Sequence, residues 1–129
     1  MIRAATIALA VSLVCLAGPA RAASLVSSPL WTDVSNAAAC YIRNTGTTPV
    51  NVQVSLFSNN GFHIDVDTCN GPTALAAGRT CVMFTLDLPD DSDVSCSVTA
   101  GNVSKLRGNI DIRHFVTGGA VVVVGDDLR

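Results

Sequence analysis

Apolar and polar residues alternate along much of the chain, and this period of two limits its fold more than any other feature of the sequence. In residues 50–56, Val50, Val52, Val54 and Leu56 fall on one face of an extended strand, with polar residues on the other. No window of about 11 residues shows convincing helical periodicity. The alternation therefore predicts an antiparallel all-β domain. Further strands are predicted at residues 25–34, 37–43, 62–67, 80–88, 94–100 and 106–114.

The same alternation predicts how these strands are connected and which side chains share a face. Asn60-Gly61 tolerates the positive φ of a tight turn, so residues 50–56 and 62–67 are predicted to form a hairpin. Outward positions in the strand at 106–114 carry Arg107, Asp111 and Arg113. The predicted apolar faces of the last three strands are, in chain order, Val82, Phe84, Leu86 and Leu88; Val94, Cys96 and Val98; and Leu106, Ile110 and Ile112.

Residues 1–22 have the layout of a cleaved secretory signal peptide. A positive start at Arg3 precedes an uncharged run over residues 4–18, and two small residues in alternate positions close the segment. The apolar run of about 15 residues is shorter than the roughly 20 that a membrane-spanning helix needs. We therefore expect residues 23–129 to form one periplasmic or secreted domain with no stable membrane span.

Removal of the signal segment leaves 107 residues with 6 basic and 10 acidic side chains, and every acidic residue is an aspartate. This balance lacks the clustered positive charge that nucleic acid requires, so nucleic acid is excluded as a partner. Arg43, Arg107 and Arg113 are the only basic residues predicted to cluster on an outward face, where aspartates such as Asp111 can neutralise them.

Four cysteines remain after removal of the signal segment, and an even number in a short exported chain indicates disulfide bonds. Cys40 and Cys96 have inward parity on strands that are far apart in sequence, which suits a bridge between two packed sheets. Cys81 has the opposite parity to Val82, and Cys69 lies in the loop just before that strand. Strand parity therefore predicts the pairs Cys40–Cys96 and Cys69–Cys81.

A bridge from an early strand to the penultimate one resembles the inter-sheet disulfide of immunoglobulin-like domains. The chain departs from the antibody type at two places: Val52 and Val54 stand where a core Trp would lie, and Val94 replaces the Tyr of the tyrosine corner. The resemblance implies an antiparallel immunoglobulin-like sandwich of about seven strands, with an open barrel as the alternative.

A looser resemblance is carried by short segments spread over most of residues 23–129. These segments are Cys40-Tyr-Ile-Arg-Asn44, Asn60-Gly61, Leu75-Ala-Ala-Gly78, Ser95-Cys96-Ser-Val98 and Arg107-Gly108. They are similar to small exported bacterial β-sandwich proteins of unassigned activity. This resemblance implies a fold and export, and it implies nothing about chemistry.

A first candidate metal site lies on the predicted strand at 62–67. His63, Asp65 and Asp67 alternate along it, so an imidazole and two carboxylates share one face. Such ligands suit zinc or another divalent ion, and His114 joins them if its strand is a neighbour. The alternative interpretation is the solvated outer face of an antiparallel sheet, which is polar because it is wet.

A second candidate metal site is the group of four aspartates around Pro89, which are Asp87, Asp90, Asp91 and Asp93. Calcium favours several carboxylate oxygens on a flexible loop. However, the EF-hand spacing is absent, and a chain without Glu lacks the bidentate ligand that closes such a loop. The alternative interpretation is a soluble hairpin tip in which Asp caps its own backbone.

Residues 118–129 form an unusual tail, because the run Val121–Val124 is apolar on both faces of a strand. It is either the last strand of a sheet or a flexible segment whose edge pairs with another chain.

Motifs of catalysis are missing: the chain has no nucleophile elbow, no C-x-x-C pair and no phosphate-binding glycine loop. Trp31 is either a surface for stacking sugars or, as is common for a lone Trp, a side chain packed over one end of the sandwich. We therefore expect no enzyme and no cofactor, and instead a binding or structural module of the cell envelope. Its partner would be an envelope protein or a surface ligand, and the sequence does not indicate an oligomeric state. The alternative function is a divalent-metal-binding periplasmic protein.

Overall fold

A computed structural model of the chain describes residues 22–32, 36–116 and 119–129, so the predicted signal segment lies outside the described residues except for Ala22. The described residues form nine β-strands, and every pairing between them is antiparallel. This confirms the predicted all-β class. Within these ranges, none of the structure is a helix able to cross a membrane. The strands are β1 (Ala23–Val26), β2 (Leu30–Thr32), β3 (Asn36–Asn44), β4 (Val52–Ser58), β5 (Val66–Asp67), β6 (Thr80–Leu88), β7 (Ser92–Ala100), β8 (Leu106–Val116) and β9 (Gly119–Asp127).

The four-stranded sheet is centred on β7. Strand β4 pairs with one side of β7, while β1 and β2 follow each other along its other side. Pro29 lies between β1 and β2, and because proline has no N–H to donate, it separates what the sequence predicted as one strand. Both flanking positions are therefore edges, and only β7 is paired on both sides.

The five-stranded sheet has the order β5-β6-β3-β8-β9, with β3 at its centre. Strand β9 pairs with β8 along its whole length, with one irregularity between Ile112 and Arg113. The tail is thus the last strand of this sheet, which was one of its two predicted forms. Leu128 continues beyond β9, is buried, and donates its N–H to the carbonyl of Gly108 at 2.9 Å.

The core lies between the two sheets and is crossed by a disulfide. Cys40 of β3 is bonded to Cys96 of β7, with the Cα atoms 6.0 Å apart and both residues fully buried. The bridge therefore ties the central strand of one sheet to the central strand of the other in a sandwich-like arrangement. The largest fully buried side chains around it are Ile42, Leu88, Leu106, Ile110, Ile112, Val54, Val94 and Val98.

One side of the sandwich is closed by the segment between β5 and β6. Cys69 is bonded to Cys81, and the neighbouring Asn70 reaches the unpaired edge of β4. Its Oδ1 accepts from the N–H of Val54 at 2.7 Å, and its Nδ2 donates to the Val54 carbonyl at 2.8 Å. The amide of Asn70 thus replaces one residue of a partner strand, and joins the edge of one sheet to the edge of the other.

The opposite side is closed by the ends of β1 and β9. Val26 and Arg129 exchange backbone hydrogen bonds of 3.0 and 3.2 Å, and Asp126 accepts from the N–H of Ser28 at 2.8 Å. This contact lowers the pKa of Asp126 through the backbone hydrogen bond from Ser28. Both open sides of the sandwich are therefore held by hydrogen bonds between sheets.

The predicted hairpin between residues 50–56 and 62–67 is wrong. Gly61 does adopt a positive φ of 68°, as the turn signal requires, but β4 then pairs with β7, while β5 pairs with β6 in the other sheet. A favourable turn sequence reverses the chain locally, but it does not determine which strands then pair. Here the chain crosses from one sheet to the other, and β5 is only two residues long.

The predicted apolar face of β6 is wrong for Val82, Phe84 and Leu86, whereas Leu88, beyond a register shift with β3, is buried as predicted. Cys81, Met83 and Thr85 face the core, whereas Leu86 is 49% exposed. The register places Met83 opposite Cys40 and therefore on the inner face. Both faces of this strand carry apolar residues, so the alternation alone did not separate them. By contrast, the inward residues predicted for β7 and β8 are all buried.

The two disulfides differ in the loops they close, and we expect the stability of the protein to follow that difference. The bonds span sequence separations of 56 and 12 residues. Chain entropy then predicts a loss of about 4 kcal/mol for the Cys40→Ala/Cys96→Ala variant and about 3 kcal/mol for Cys69→Ala/Cys81→Ala. Urea unfolding without reductant measures both, and a larger loss from opening the shorter loop would contradict the expectation.

Replacing Asn70 by Ala should destabilise the protein by about 1–3 kcal/mol, because the backbone groups of Val54 lose both partners. Asn51→Ala is the matched control, since Asn51 is exposed just before β4. Chemical denaturation of the two variants should separate them clearly. Equal stabilities would show that the Asn70 amide does not hold the two sheets together.

Candidate functional site

The structure does not gather the first group of candidate metal ligands around a cation. His63 is exposed in the loop before β5. The carboxylate of Asp65 accepts from the N–H of Leu86 at 2.6 Å, and that of Asp67 accepts from the N–H groups of Cys69 and Asn70 at 2.9 and 3.0 Å. Both carboxylates are thus occupied by backbone hydrogen bonds. Across the described ranges, no three His, Cys, Asp or Glu side chains lie close enough together to hold a metal ion.

The hydrogen bonds to Asp67 change its acidity. Partial burial raises the pKa of Asp67, but the N–H groups of Asn70 and Cys69, together with Asn70 Nδ2, outweigh burial and hold it below the usual carboxyl value. The charged form is the one that accepts these hydrogen bonds. Asp67 therefore orders the same Asn70 side chain that reaches β4.

The four aspartates around Pro89 lie at a turn between the two sheets, which corrects the predicted hairpin tip. Strand β6 belongs to one sheet and β7 to the other, so residues 89–91 carry the chain across the end of the sandwich. Asp91 adopts a positive φ of 54°, and its carbonyl accepts from Asn60 Nδ2 at 2.9 Å. Asp87, Asp90 and Asp93 are exposed beside it. The aspartates of this segment are thus explained by its turn, because Asp is a residue that turns favour.

Arginines and aspartates do meet on the outer face of the five-stranded sheet. Arg113 donates to both carboxylate oxygens of Asp111, at 2.9 and 3.0 Å, and its Nη2 donates to the hydroxyl of Tyr41 at 2.6 Å. The hydrogen bond to Asp111 raises the pKa of Arg113. Burial raises the pKa of Tyr41, and the negative charge of Asp111 raises it further. The positive charge of Arg113 lowers it, but by less. Arg113 is therefore neutralised, as the sequence anticipated.

The other two predicted arginines lie directly opposite each other at the end of β3 and β8. Arg43 and Arg107 are paired in register and line a shallow depression of about 360 Å³. Arg107 donates to the carbonyl of Leu106 at 2.6 Å, and Asp127 lines the same depression. An acidic side chain thus shares the space with the two guanidinium groups, and the local charge is mixed.

The outer face of the four-stranded sheet has a different character, and we call it the aromatic face. Trp31 of β2 and Phe57 of β4 are each 55% exposed on it. Trp31 is opposite Asp93 and Phe57 is opposite Ser95, so the two rings stand on either side of β7. The aromatic face comprises the outward residues Ser24, Val26, Trp31, Gln53, Ser55, Phe57, Asp93, Ser95, Ser97 and Thr99.

The alternation of the strands explains why these side chains point outward. In β7, residues 92, 94, 96, 98 and 100 are buried, and the residues between them are exposed or half-buried. Directly paired residues of antiparallel strands share a face, so the partners of those outward residues point outward too. Trp31 therefore does not cover an end of the sandwich, which is where a lone Trp was expected. It lies on an edge strand with its ring accessible.

The middle of the aromatic face carries small hydroxyl side chains. Ser95, Ser97 and Thr99 follow one another along β7, and Ser55 lies opposite Ser97 on β4. Within the described part of the chain, these four hydroxyls make no hydrogen bond. Elsewhere hydroxyls are used internally: Ser27 Oγ accepts from the N–H of Cys96 at 2.9 Å, for example. The hydroxyls of the aromatic face are thus available to a ligand.

The end of the aromatic face away from the rings opens into a depression of about 420 Å³. Gln53, Thr99 and Asn51 contribute polar side chains to it, and Asn70 and Gly71 border it. Of the outward residues of the aromatic face, only Asp93 is charged. Aromatic rings at one end and uncharged hydrogen-bonding groups along the rest form a surface suited to a neutral, polar ligand.

Comparisons with protein-family models, curated proteins and solved structures gave no match to this chain. The geometry of the surface alone therefore carries the interpretation of function.

Sequence reasoning singled out Trp31 but missed Phe57 and the hydroxyls between the two rings. The signal that was present is the unbroken hydroxyl series at alternate positions 95, 97 and 99, opposite the buried series of β7. What the sequence lacked was the register of β2 and β4 on β7, which brings residues 31 and 57 to one face.

The lowered pKa of Asp67 predicts how its contribution to stability depends on pH. The stabilisation is fully present above the ordinary carboxyl pKa of the unfolded chain and is lost as the pH falls through the lowered pKa of the folded state. At neutral pH the wild type should therefore be more stable than Asp67→Asn, and the difference should shrink in acid. Urea unfolding over a series of pH values tests this, with Asp87→Asn as the exposed control. A difference that stays constant down to strongly acidic pH would refute it.

Proposed function

We propose that residues 23–129 form an exported, non-enzymatic binding module of the cell envelope that binds its ligand at the aromatic face. The observation that carries the proposal is the pair Trp31 and Phe57, each 55% exposed on one face of the same sheet. In this proposal residues 1–22 are the cleaved signal peptide, and the mature domain is periplasmic or secreted.

Two disulfides support export, because such bonds persist in oxidising compartments and are rare in the cytosol. Among the described residues, β1 begins at Ala23, which is the residue after the predicted cleavage position. A domain of about 107 residues closes only a modest core, so covalent links between and within its layers add needed stability.

An immunoglobulin-like architecture is part of the proposal. It is supported by a disulfide that joins the central strands of two facing antiparallel sheets. The absence of the core Trp and of the tyrosine corner places the chain apart from antibody domains. The architecture matters to function because it leaves the outer face of each sheet free to carry a site.

Exposure of two large aromatic side chains is the reason to propose binding. Fully burying a side chain of this size stabilises a protein by roughly 1.5–3 kcal/mol. Because each ring is 55% exposed, the fold gains only part of this stabilisation from it. Aromatic side chains also provide large contact areas with few rotatable bonds, which is why they dominate many binding sites. Their placement on one face, across a strand whose outward hydroxyls are free, supports a single surface.

The test compares how much of each purified exported protein is retained on isolated envelopes of the cells that produce it. The Trp31→Ala/Phe57→Ala variant is expected to lose most retention, because both rings leave the surface while the core is untouched. Leu86→Ala is the matched control, since Leu86 is 49% exposed on the opposite sheet. Co-sedimentation followed by quantitative immunoblotting gives the bound fraction of each protein. Unchanged retention of the double variant, or a loss confined to Leu86→Ala, would refute the aromatic face as the binding surface.

A further inference from the structure

We infer that the ligand of the aromatic face is a neutral polysaccharide chain lying along β7. This inference rests on the proposed function and names its ligand class. It is carried by three features of the aromatic face: the spacing of its two rings, its free hydroxyls and its near absence of charge.

The shape of the face is a shallow trough. Its floor is the central strand, where the outward residues Ser95, Ser97 and Thr99 have small side chains. At the two edge positions Trp31, Val26 and Phe57 have larger side chains than the floor, while the small Ser24 and Ser55 leave gaps in its sides. From the row of Trp31 to the row of Thr99 the trough runs about 20 Å, and it is about 10 Å wide between edge strands. An extended chain of several sugar units fits these dimensions.

The rings are placed as two stacking platforms along such a chain. They lie on opposite sides of β7 and one outward row apart, so their Cα atoms are separated by about 12 Å. A pyranose ring presents C–H groups on its broad faces, which pack against an aromatic ring and its negative π-face. Two platforms offset along the trough contact two different sugar units of one chain.

The hydroxyl groups between and beyond the rings match the rest of a sugar. Each Ser or Thr hydroxyl both donates and accepts, and so does each hydroxyl of a sugar. Ser55 and Ser97 are directly opposite each other, and Gln53 is opposite Thr99 one row further on. Because none of these groups has an internal partner in the described chain, a ligand gains their hydrogen bonds without breaking others.

Charge selects a neutral polymer over an acidic one. The outward rows carry a single ionisable group, Asp93, which is an acid close to Trp31. A uronic acid or sulfate placed there meets like charge and no arginine or lysine. Three guanidinium groups, those of Arg43, Arg107 and Arg113, are on the five-stranded sheet.

The composition of the trough also separates a glycan from a protein partner. Protein interfaces are enriched in aromatic residues but depleted in Ser, and their centres are apolar and fully desolvated. Here the centre is hydroxylated, and four of the ten outward residues are serine. A second copy of the chain docking on this face would bury those hydroxyls without partners, at an unfavourable free energy.

Trp31 is the only tryptophan of the chain, so its fluorescence reports on the proposed site directly. The purified exported protein is titrated with neutral oligosaccharides of glucose, mannose and N-acetylglucosamine, each of six or seven units, and with a polygalacturonate oligomer as the acidic arm. At least one neutral oligosaccharide should give a saturable change in emission, and the acidic one should give none. Phe57→Ala should weaken that binding about tenfold, because one stacking contact is lost.

Two further variants separate stacking from general disturbance of the sheet. Ser97→Arg fills the floor of the trough while keeping both rings, and should abolish the response to the neutral oligosaccharide. Leu86→Ala should leave it unchanged. The Trp31→Ala variant lacks the fluorophore, so its binding is measured by affinity electrophoresis in gels that contain the matching polysaccharide. The polysaccharide should not retard the migration of this variant. Far-UV circular dichroism verifies that each variant keeps its β-sheet structure.

The outcome distinguishes failure of the ligand class from failure of the proposed function. If no neutral oligosaccharide changes the emission, yet retention on envelopes still depends on Trp31 and Phe57, the glycan inference is overturned and the binding face stands. Preferential binding of the acidic oligomer would overturn it equally. If retention on envelopes is indifferent to both rings, the proposed function itself fails. If the wild type binds a neutral oligosaccharide and Ser97→Arg does not, the result supports both the glycan inference and the proposed function.

Discussion

The bond between Cys40 and Cys96 sets the geometry on which everything else in this domain depends. It joins β3 and β7, the strands at the centres of the two sheets, and both cysteines are completely buried. Fixing the two central strands at one point also fixes which side of each strand faces inward, because neighbouring residues alternate. The inner residues of β7 then surround the bridge, and its outer residues become the floor of the aromatic face.

The two outer faces of the sandwich carry side chains of different chemistry. On the five-stranded sheet Arg113 is held by Asp111 and Tyr41, and Arg43 is opposite Arg107, so the β3–β8 part of that face is ionic, while Leu86 of β6 is exposed beside it. On the four-stranded sheet the outward residues are hydroxylated, amidic or aromatic, with Asp93 as the single charge. The sides between the sheets are already occupied, by Asn70 at one edge and by Val26 with Arg129 at the other. Of the surfaces that the described chain offers, the aromatic face combines accessible rings with free hydrogen-bonding groups.

The sequence predicted which side chains face the core only in strands whose two faces differ clearly in polarity. Strands β7 and β8 have one apolar and one polar face, and so the inward positions of Cys96 and Ile110 followed from parity. The pair Cys69–Cys81 is also present, although Cys81 faces the core and not outward as predicted. Strand β6 is apolar on both faces, and there parity predicted the wrong one.

The sequence also did not predict which strands pair with each other across long separations in the chain. Asn60-Gly61 does form a turn, but the choice of partner for β4 depends on the buried surface that the whole sheet gains, which no local signal contains. Trp31 and Phe57 meet on one face for the same reason: each pairs with β7, and neither pairs with the other.

Exposed aromatic residues on edge strands carry a risk that the arrangement of the face reduces. An unbroken apolar patch beside an open sheet edge invites association with other chains. Here Ser95 and Asp93 stand between the two rings, so the rings are not joined into one patch. On the β4 edge, Asn70 occupies backbone groups that another strand would otherwise pair with. Each ring thus stays accessible for stacking while the surface between them stays wet, which favours a ligand that brings hydroxyl groups of its own.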